Sequence, residues 1–79
     1  MKAKQILIFK SSVRTKEKKT FLMQLLKHHL PQIQSATLDL DDEDAIFRVE
    51  TEDCSVDLLT ALLHRHGIKV DFLDRFVLA

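Results

Sequence analysis

Two kinds of hydrophobic spacing run along the chain, and together they predict a protein with both helices and strands. Apolar residues recur at three- and four-residue steps in segments 16–30 and 56–63, which is the spacing of one buried helix face. The unbroken apolar run at 6–9 predicts a buried strand. Apolar and polar residues alternate in further segments, which predicts strands near 36–41, 45–50 and 68–73.

Polar residues, proline and glycine mark the ends of both predicted helices. Thr15 can cap the first helix because its hydroxyl can accept a hydrogen bond from the first turn, and either Asp53 or Ser55 can cap the second. Pro31 ends the first helix, since the residue before a proline is disfavoured in helical geometry. Gly67 is expected to end the second helix in a left-handed conformation.

The acidic segment 41–44 predicts the turn of a hairpin between the second and third strands. The element order is then strand, helix, strand, strand, helix, strand, which one compact domain closes best as an α+β ferredoxin-like βαββαβ sandwich. Two helices would cover one face of a four-stranded antiparallel sheet. If Leu7 and Phe9 face the helices, the other face is open and carries an apolar patch made of Ile6, Ile8 and Ile46.

The C-terminal segment 73–79 is apolar at its end and contains no turn signal. An exposed apolar patch of this kind marks an interaction surface. Two expectations stay open: the tail folds over the open sheet face, or a protein partner or a second copy of the chain covers that face. The residues expected at this surface are Ile6, Ile8, Ile46, Phe76 and Leu78.

Length, charge and cysteine content limit the classes of function. The chain has 79 residues, which is the size of one domain spanning residues 1–79. Lys plus Arg number 12 and Asp plus Glu number 12, so no general field attracts nucleic acid or an anionic membrane. No apolar run approaches the ~20 residues of a membrane span or forms a secretory signal. The single cysteine suits a reducing compartment, and we expect a cytoplasmic protein.

Packing features between Ile6 and Leu73 resemble those of one known family. They are the order of strands and helices, the spacing of apolar residues at 33–40 after the first helix, and the segment 62–70 that ends the second helix. By these features the chain resembles the heavy-metal-associated domain family, the fold of copper chaperones and of the N-terminal domains of metal-pumping ATPases. The resemblance is one of packing and covers most of the chain.

The loop after the first strand departs from that family. There the family carries a Gly-Met-x-Cys-x-x-Cys motif, whose two thiolates hold one soft metal ion. Laid on this chain, the motif places Ser12 at the glycine, Val13 at the buried methionine, and Thr15 and Lys18 at the two cysteines. The resemblance therefore implies a domain that kept the fold, lost the metal site, needs no cofactor and serves as a protein-interaction or accessory module.

An alternative function is metal binding or trafficking through ligands outside that loop. In the expected fold, His28, His29 and Cys54 lie at one end of the sheet and are the candidate ligands. His64 and His66 would lie at the other end, beside the acidic turn. Being two residues apart on a helix, they would point in nearly opposite directions.

The basic run 14–19 lies at the start of the first helix, at the same expected end as the acidic turn 41–44. An anion site and a solvated first turn both remain open for this run. The simplest expectation is that the two patches attract each other or the matching patch of a second copy, although exposed ion pairs are individually weak.

No catalytic arrangement can be placed on the predicted fold. Acylphosphatases share this strand order and need an arginine in the first loop and an asparagine on the sheet; Arg14 is present, but the chain contains no asparagine. Cys54 lies near a helix start without an evident neighbouring base. RNA-binding domains of this topology stack bases on exposed strand aromatics, whereas Phe9 and Phe47 are expected on the helix side. We therefore expect neither enzymatic activity nor a nucleic-acid partner.

Overall fold

The computed structural model describes residues 4–52 and 55–78, and all structural statements below concern these residues. The elements follow the order β1 (Lys4–Ser11), α1 (Lys16–His29), β2 (Ile33–Leu38), β3 (Phe47–Thr51), α2 (Val56–Arg65) and β4 (Val70–Leu78). The strands form one antiparallel sheet in the order β2-β3-β1-β4. The expected ferredoxin-like α+β fold is therefore confirmed. Within the described ranges, no helix is long and apolar enough to cross a membrane.

The core lies between the two helices and one face of the sheet. Leu7 and Phe9 on β1 are fully buried, so the expected alternation of this strand is confirmed. The Phe9 ring lies 5.7 Å from the ring of Phe47, which is also fully buried and is thus not exposed for base stacking. The helices contribute the buried residues Leu22, Leu25, Leu26, Leu59 and Leu63.

Local sequence signals set the helix ends as expected. Thr15 is the N-cap of α1, and its hydroxyl accepts a hydrogen bond from the Lys18 backbone N–H at 3.2 Å. Ser55 is the N-cap of α2; Asp53, the other candidate, lies outside the described residues. Gly67 follows α2 with a φ of 79°, a left-handed conformation that glycine adopts without steric cost.

Strand β2 begins earlier than the alternation predicts. Ile33, which lies before the strand predicted near 36–41, pairs with Thr51 of β3, and the strand ends at Leu38 rather than beyond Leu40. The register shifts between Ile33 and Ser35. Because such an irregularity breaks the period of two, the start of the strand does not show in the alternation.

The tail does not fold over the open face of the sheet, and that expectation is wrong. Residues up to Leu78 continue β4 and pair with the full length of β1, so that Phe76 lies opposite Ile6 and Leu78 opposite Lys4. The register shifts between Ile8 and Phe9, which leaves one extra residue, Leu73, on β4. This bulge interrupts the alternation after 73 and hid the second half of the strand in the sequence. Ala79 lies outside the described residues.

Candidate functional site

Strand β4 exposes most of its length to solvent. Val70 at its start is buried, whereas every residue from 71 to 78 is exposed. Apolar side chains make up much of this surface, and their exposed fractions are Phe72 43%, Leu73 52%, Phe76 51%, Val77 61% and Leu78 43%. Large apolar residues normally lie inside a domain, so a row of them on one strand requires an explanation.

The position of β4 in the sheet explains why these side chains remain uncovered. β4 is an edge strand whose only neighbour in the described sheet is β1. Its residues alternate between the open face, where Phe76 lies opposite Ile6, and the helix side, where Val77 lies opposite Gln5. Helix cover on the second side reaches only the start of the strand, because Val70 is buried and Val77 is not. Both faces of β4 therefore expose apolar side chains.

The free edge of β4 carries part of the protection that soluble proteins give to edge strands, namely three charged residues, Asp71, Asp74 and Arg75, and the bulge at Leu73. Edges are commonly blocked by charge, proline or short length, because their unpaired backbone groups bind other strands. β4 is nine residues long and has no proline. Asp74 accepts a hydrogen bond from the Arg75 backbone N–H at 2.8 Å, which occupies one donor of the strand.

The open face of the sheet adjoins this strand and contains the residues that we expected at an interface. Ile6 and Ile8 on β1 are half-buried, and Phe76 lies directly opposite Ile6. Lys4 and Glu50 form an ion pair at 3.6 Å, with both side chains partly exposed. Ile46 lies just before β3, is half-buried, and its carbonyl accepts a hydrogen bond from the Asp39 N–H at 3.0 Å.

The loop between β1 and α1 is held by hydroxyl groups. The buried Ser11 hydroxyl donates a hydrogen bond to the Ala45 carbonyl at 2.7 Å and thereby ties the loop to the β2–β3 hairpin. The Ser12 hydroxyl accepts a hydrogen bond from the Lys69 N–H at 3.2 Å, and the Ser12 N–H donates to the Lys69 carbonyl at 3.0 Å. The second pair of bonds ties the loop to the segment that leads into β4.

The other positions of this loop take structural roles. Val13 is buried and anchors the loop in the core. Thr15 caps α1, and Lys18 lies in the first helical turn with its side chain in solvent. The two positions that the family resemblance assigns to metal-binding thiolates are thus a helix cap and an exposed lysine, and neither side chain ligates a soft metal ion.

The acidic turn is ordered by its own side chains. The Asp39 carboxylate accepts a hydrogen bond from the Asp41 N–H at 3.0 Å, and the Asp42 carboxylate accepts one from the Asp44 N–H at 2.7 Å. The Asp44 carboxylate lies 3.4 Å from the Lys10 ammonium group. The ion pair at this end of the sheet therefore uses Lys10 of β1, which precedes the basic run at 14–19.

The histidines are arranged differently from our expectation. His66 was expected at the opposite end from His28 and His29, but its ring lies 5.9 Å from the ring of His29, which in turn lies 4.7 Å from that of His28. The His66 ring also lies 6.1 Å from the Phe21 ring, so His66 lies beside the middle of α1. The relative placement of the two helices, which local periodicity does not encode, causes this difference.

Two of the expected ligands, His28 and His29, lie in ring contact with each other, and His29 also contacts His66. Among the described residues, no group of three or more His, Cys, Asp or Glu side chains is arranged so that it could hold a metal ion. Cys54, the third candidate ligand, lies outside the described residues. His64 is exposed on α2.

A groove of about 570 Å³ lies between the end of α1 and β2, at the opposite edge of the sheet from β4. Its lining contains one ionisable side chain, Lys27, beside apolar and amide groups. None of the candidate site residues named from the sequence lines this groove. Arg14 is exposed in the β1–α1 loop.

No protein-family model matches this chain, and no curated protein is significantly similar to it. The class that the structure defines is a small ferredoxin-like α+β domain. The resemblance to the heavy-metal-associated family stays a prediction that rests on the packing pattern.

Three of the exposed β4 residues were missed as interface candidates in the sequence, namely Phe72, Leu73 and Val77. The signal that could have found them is that segment 70–78 has apolar residues at both even- and odd-numbered positions, and thus on both faces of a strand. Ser11 was also missed, and no local signal marks it, because its partner Ala45 is 34 residues away in the chain.

Proposed function

We propose that the chain is a non-catalytic protein-interaction module that binds its partner through β4 and the adjoining part of the open sheet face. The observation that carries this proposal is the exposure of five large apolar side chains between positions 72 and 78 of one edge strand. Edge strands bind proteins by strand addition, in which main-chain hydrogen bonds provide affinity and side-chain contacts provide specificity. β4 offers both kinds of contact.

The size of the exposed surface supports this role. Five large side chains, each about half exposed, present on the order of 500 Å² of apolar surface. The largest apolar patch of a typical monomer is about 300–600 Å² and is often functional. These five side chains share one strand, divided between its two faces, whereas the exposed apolar residues Phe21 and Leu58 lie on the helices.

The proposal is tested with the immobilised chain and an extract of the cells that produce it. Proteins retained by the wild type should be lost with Val77→Lys, which adds a charge to the most exposed apolar position of β4. Gln34→Lys is the matched control, because it adds the same charge at an exposed position of β2, the opposite edge strand. If both variants retain the same proteins as the wild type, and the wild type is a monomer in solution, β4 is not the binding surface and the proposal is wrong.

We further propose that the module descends from a metal-binding domain and has lost the metal site, as the family resemblance implies. The support is that Thr15 and Lys18 occupy the N-cap and the third helical position, 3.2 Å apart from hydroxyl oxygen to backbone nitrogen. Thr15→Cys combined with Lys18→Cys should therefore bring two thiolates together and create copper(I) binding at micromolar affinity or tighter.

The control for this gain of function is Thr15→Ser combined with Lys18→Ser, which keeps a capping hydroxyl but supplies no thiolate. Copper(I) should be titrated against a chromophoric competitor for the wild type and both double variants. Tight binding by the wild type, or no binding by the double cysteine variant, would contradict the proposed ancestry.

A second candidate function is metal binding through His28, His29 and Cys54, and the 4.7 Å contact between the His28 and His29 rings favours it. In a zinc titration, His29→Ala should then weaken binding strongly, whereas His64→Ala should not. Cys54→Ser tests the remaining candidate ligand in the same titration. This candidate function is wrong if the wild type does not bind zinc, or if neither His29→Ala nor Cys54→Ser weakens zinc binding.

A further inference from the structure

We infer that the partner of β4 is a second copy of the same chain, joined edge to edge through antiparallel pairing of the two β4 strands. This inference rests on the proposed function, since it identifies the partner of the same surface. The two four-stranded sheets would then form one continuous sheet of eight strands, with β2 at both outer edges. The open face and the helix side of each copy would continue into those of the other.

Symmetry makes this arrangement self-consistent. Most homodimers have two-fold symmetry, in which one surface patch pairs with itself. A two-fold axis perpendicular to the sheet runs the neighbouring β4 strands antiparallel, which is the orientation of every other pair in this sheet. The same axis places the helices of both copies on one side of the joined sheet.

The exposed apolar residue on the helix side of β4 favours a second copy over a short peptide. Val77 lies on that side and is 61% exposed, so a partner that covers it must bring a layer of its own there. A single added strand pairs with the edge but brings no layer to cover the helix side. A second copy brings α2, which packs near the start of its own β4.

The area and the charge of the chain agree with a dimer. If each copy contributes on the order of 500 Å² from β4, the pair buries about 1,000 Å², which is the lower bound of a specific interface. Main-chain hydrogen bonds at the free edge add to this contact. The formal net charge of the chain is zero, so two copies do not repel each other at long range.

The test is the solution mass across the micromolar range, measured by light scattering and sedimentation equilibrium. The wild type should show twice the 9.2 kDa of one chain. Val77→Lys should weaken dimerisation by about tenfold or more, because it places two ammonium groups in a two-fold interface. Gln34→Lys on β2 should leave the mass unchanged. Arg48→Glu, on the open face of β3, should also leave it unchanged and thus separates edge pairing from stacking of two open faces.

Hydrogen exchange of the wild type gives a second measurement that needs no substitution. Raising the protein concentration should slow exchange of alternate β4 amides and leave β2 amides unchanged. This measurement decides the question if circular dichroism shows that Val77→Lys is not folded. A wild type that stays monomeric, a dimer that Val77→Lys leaves intact although folded, or concentration-independent exchange at β4 would each overturn the dimer.

The two proposals fail separately. A monomeric wild type that still loses retained proteins on Val77→Lys contradicts the dimer and supports a different partner for β4. A monomeric wild type whose retained proteins are the same for Val77→Lys and Gln34→Lys contradicts both proposals.

Discussion

The two edge strands of the sheet differ in how their side chains meet solvent. On β2, the exposed positions are polar, namely Gln34, Ser35 and Thr37, while Ile33, Ala36 and Leu38 pack against the core. On β4, the exposed positions from 72 to 78 include five large apolar residues. Both strands occupy equivalent places in the topology, so position alone does not account for this difference.

This difference indicates which edge strand is covered by other parts of the same chain. Helix α1 packs against β2, and Leu26 of this helix and its C-cap Leu30 are both buried beside that edge. β4 is longer than β2 by three residues, nine against six, and its buried position is Val70 alone. Polar residues at exposed positions suit a strand that stays in water, and apolar residues suit one that is covered by a partner.

The largest expected effect comes from truncating one leucine on each edge strand. Leu38→Ala on β2 should lower the free energy of unfolding by about 2–4 kcal/mol, because it leaves a cavity in the core. Leu73→Ala on β4 should change the free energy of unfolding by no more than about 0.5 kcal/mol, because that side chain is half exposed in the single chain. Urea unfolding of both variants in a Val77→Lys background avoids any contribution from dimerisation. Equal losses would show that β4 is covered within the single chain.

A smaller effect is expected at two neighbouring serines: Ser11 binds the β2–β3 hairpin, and Ser12 binds the segment that leads into β4. Ser11→Ala should cost about 1–3 kcal/mol, because it removes the donor from the buried Ala45 carbonyl on the hairpin side. Ser12→Ala should cost about 0.5 kcal/mol, because its bond to the Lys69 N–H is exposed and water can replace it. Urea unfolding measures both. A larger loss at Ser12 would indicate that the approach to β4 is the more tightly held side.

The elements that the sequence predicts correctly are those whose signals are local. Thr15 and Gly67 act within one helical turn of the ends that they mark, so their residue types suffice. The buried alternation of Leu7 and Phe9 likewise follows from a regular strand. The fold followed from the order of these elements, because few topologies close six of them into one domain.

The features that could not be predicted depend on irregular pairing or on distant contacts. The bulge at Leu73 hid the second half of β4, so an edge strand looked like a loose tail. The contact between the His29 and His66 rings depends on how the two helices are placed, and the Ser11 bond depends on a partner 34 residues away. The candidate surface was therefore found only in part, through Ile6, Phe76 and their neighbours.

A still smaller effect is expected at the glycine that precedes β4. Gly67→Ala should lower the free energy of unfolding by about 1 kcal/mol, because φ is 79° and a side chain is strained there. Apart from its two chain neighbours, a Cβ at this position would meet no atom within 4 Å, so the cost is one of backbone conformation. Urea unfolding measures the loss, and Gly67→Asn is the control, since asparagine tolerates left-handed geometry better than alanine. Equal losses for both would point to a role beyond backbone conformation.

The smallest effect is expected at Ala45, which stands in the hairpin on the β2 side with a positive φ of 46°. Ala45→Gly should relieve about 1 kcal/mol of backbone strain. It should also lose about 1 kcal/mol, because the methyl group is fully buried. The two terms offset each other, so urea unfolding should show almost no change, in contrast to the loss for Gly67→Ala. A large loss would mean that packing of this methyl group, together with the Ser11 hydrogen bond, holds the hairpin in its strained conformation. Core contacts on the β2 side would then contribute more free energy than the strained backbone at Ala45 costs.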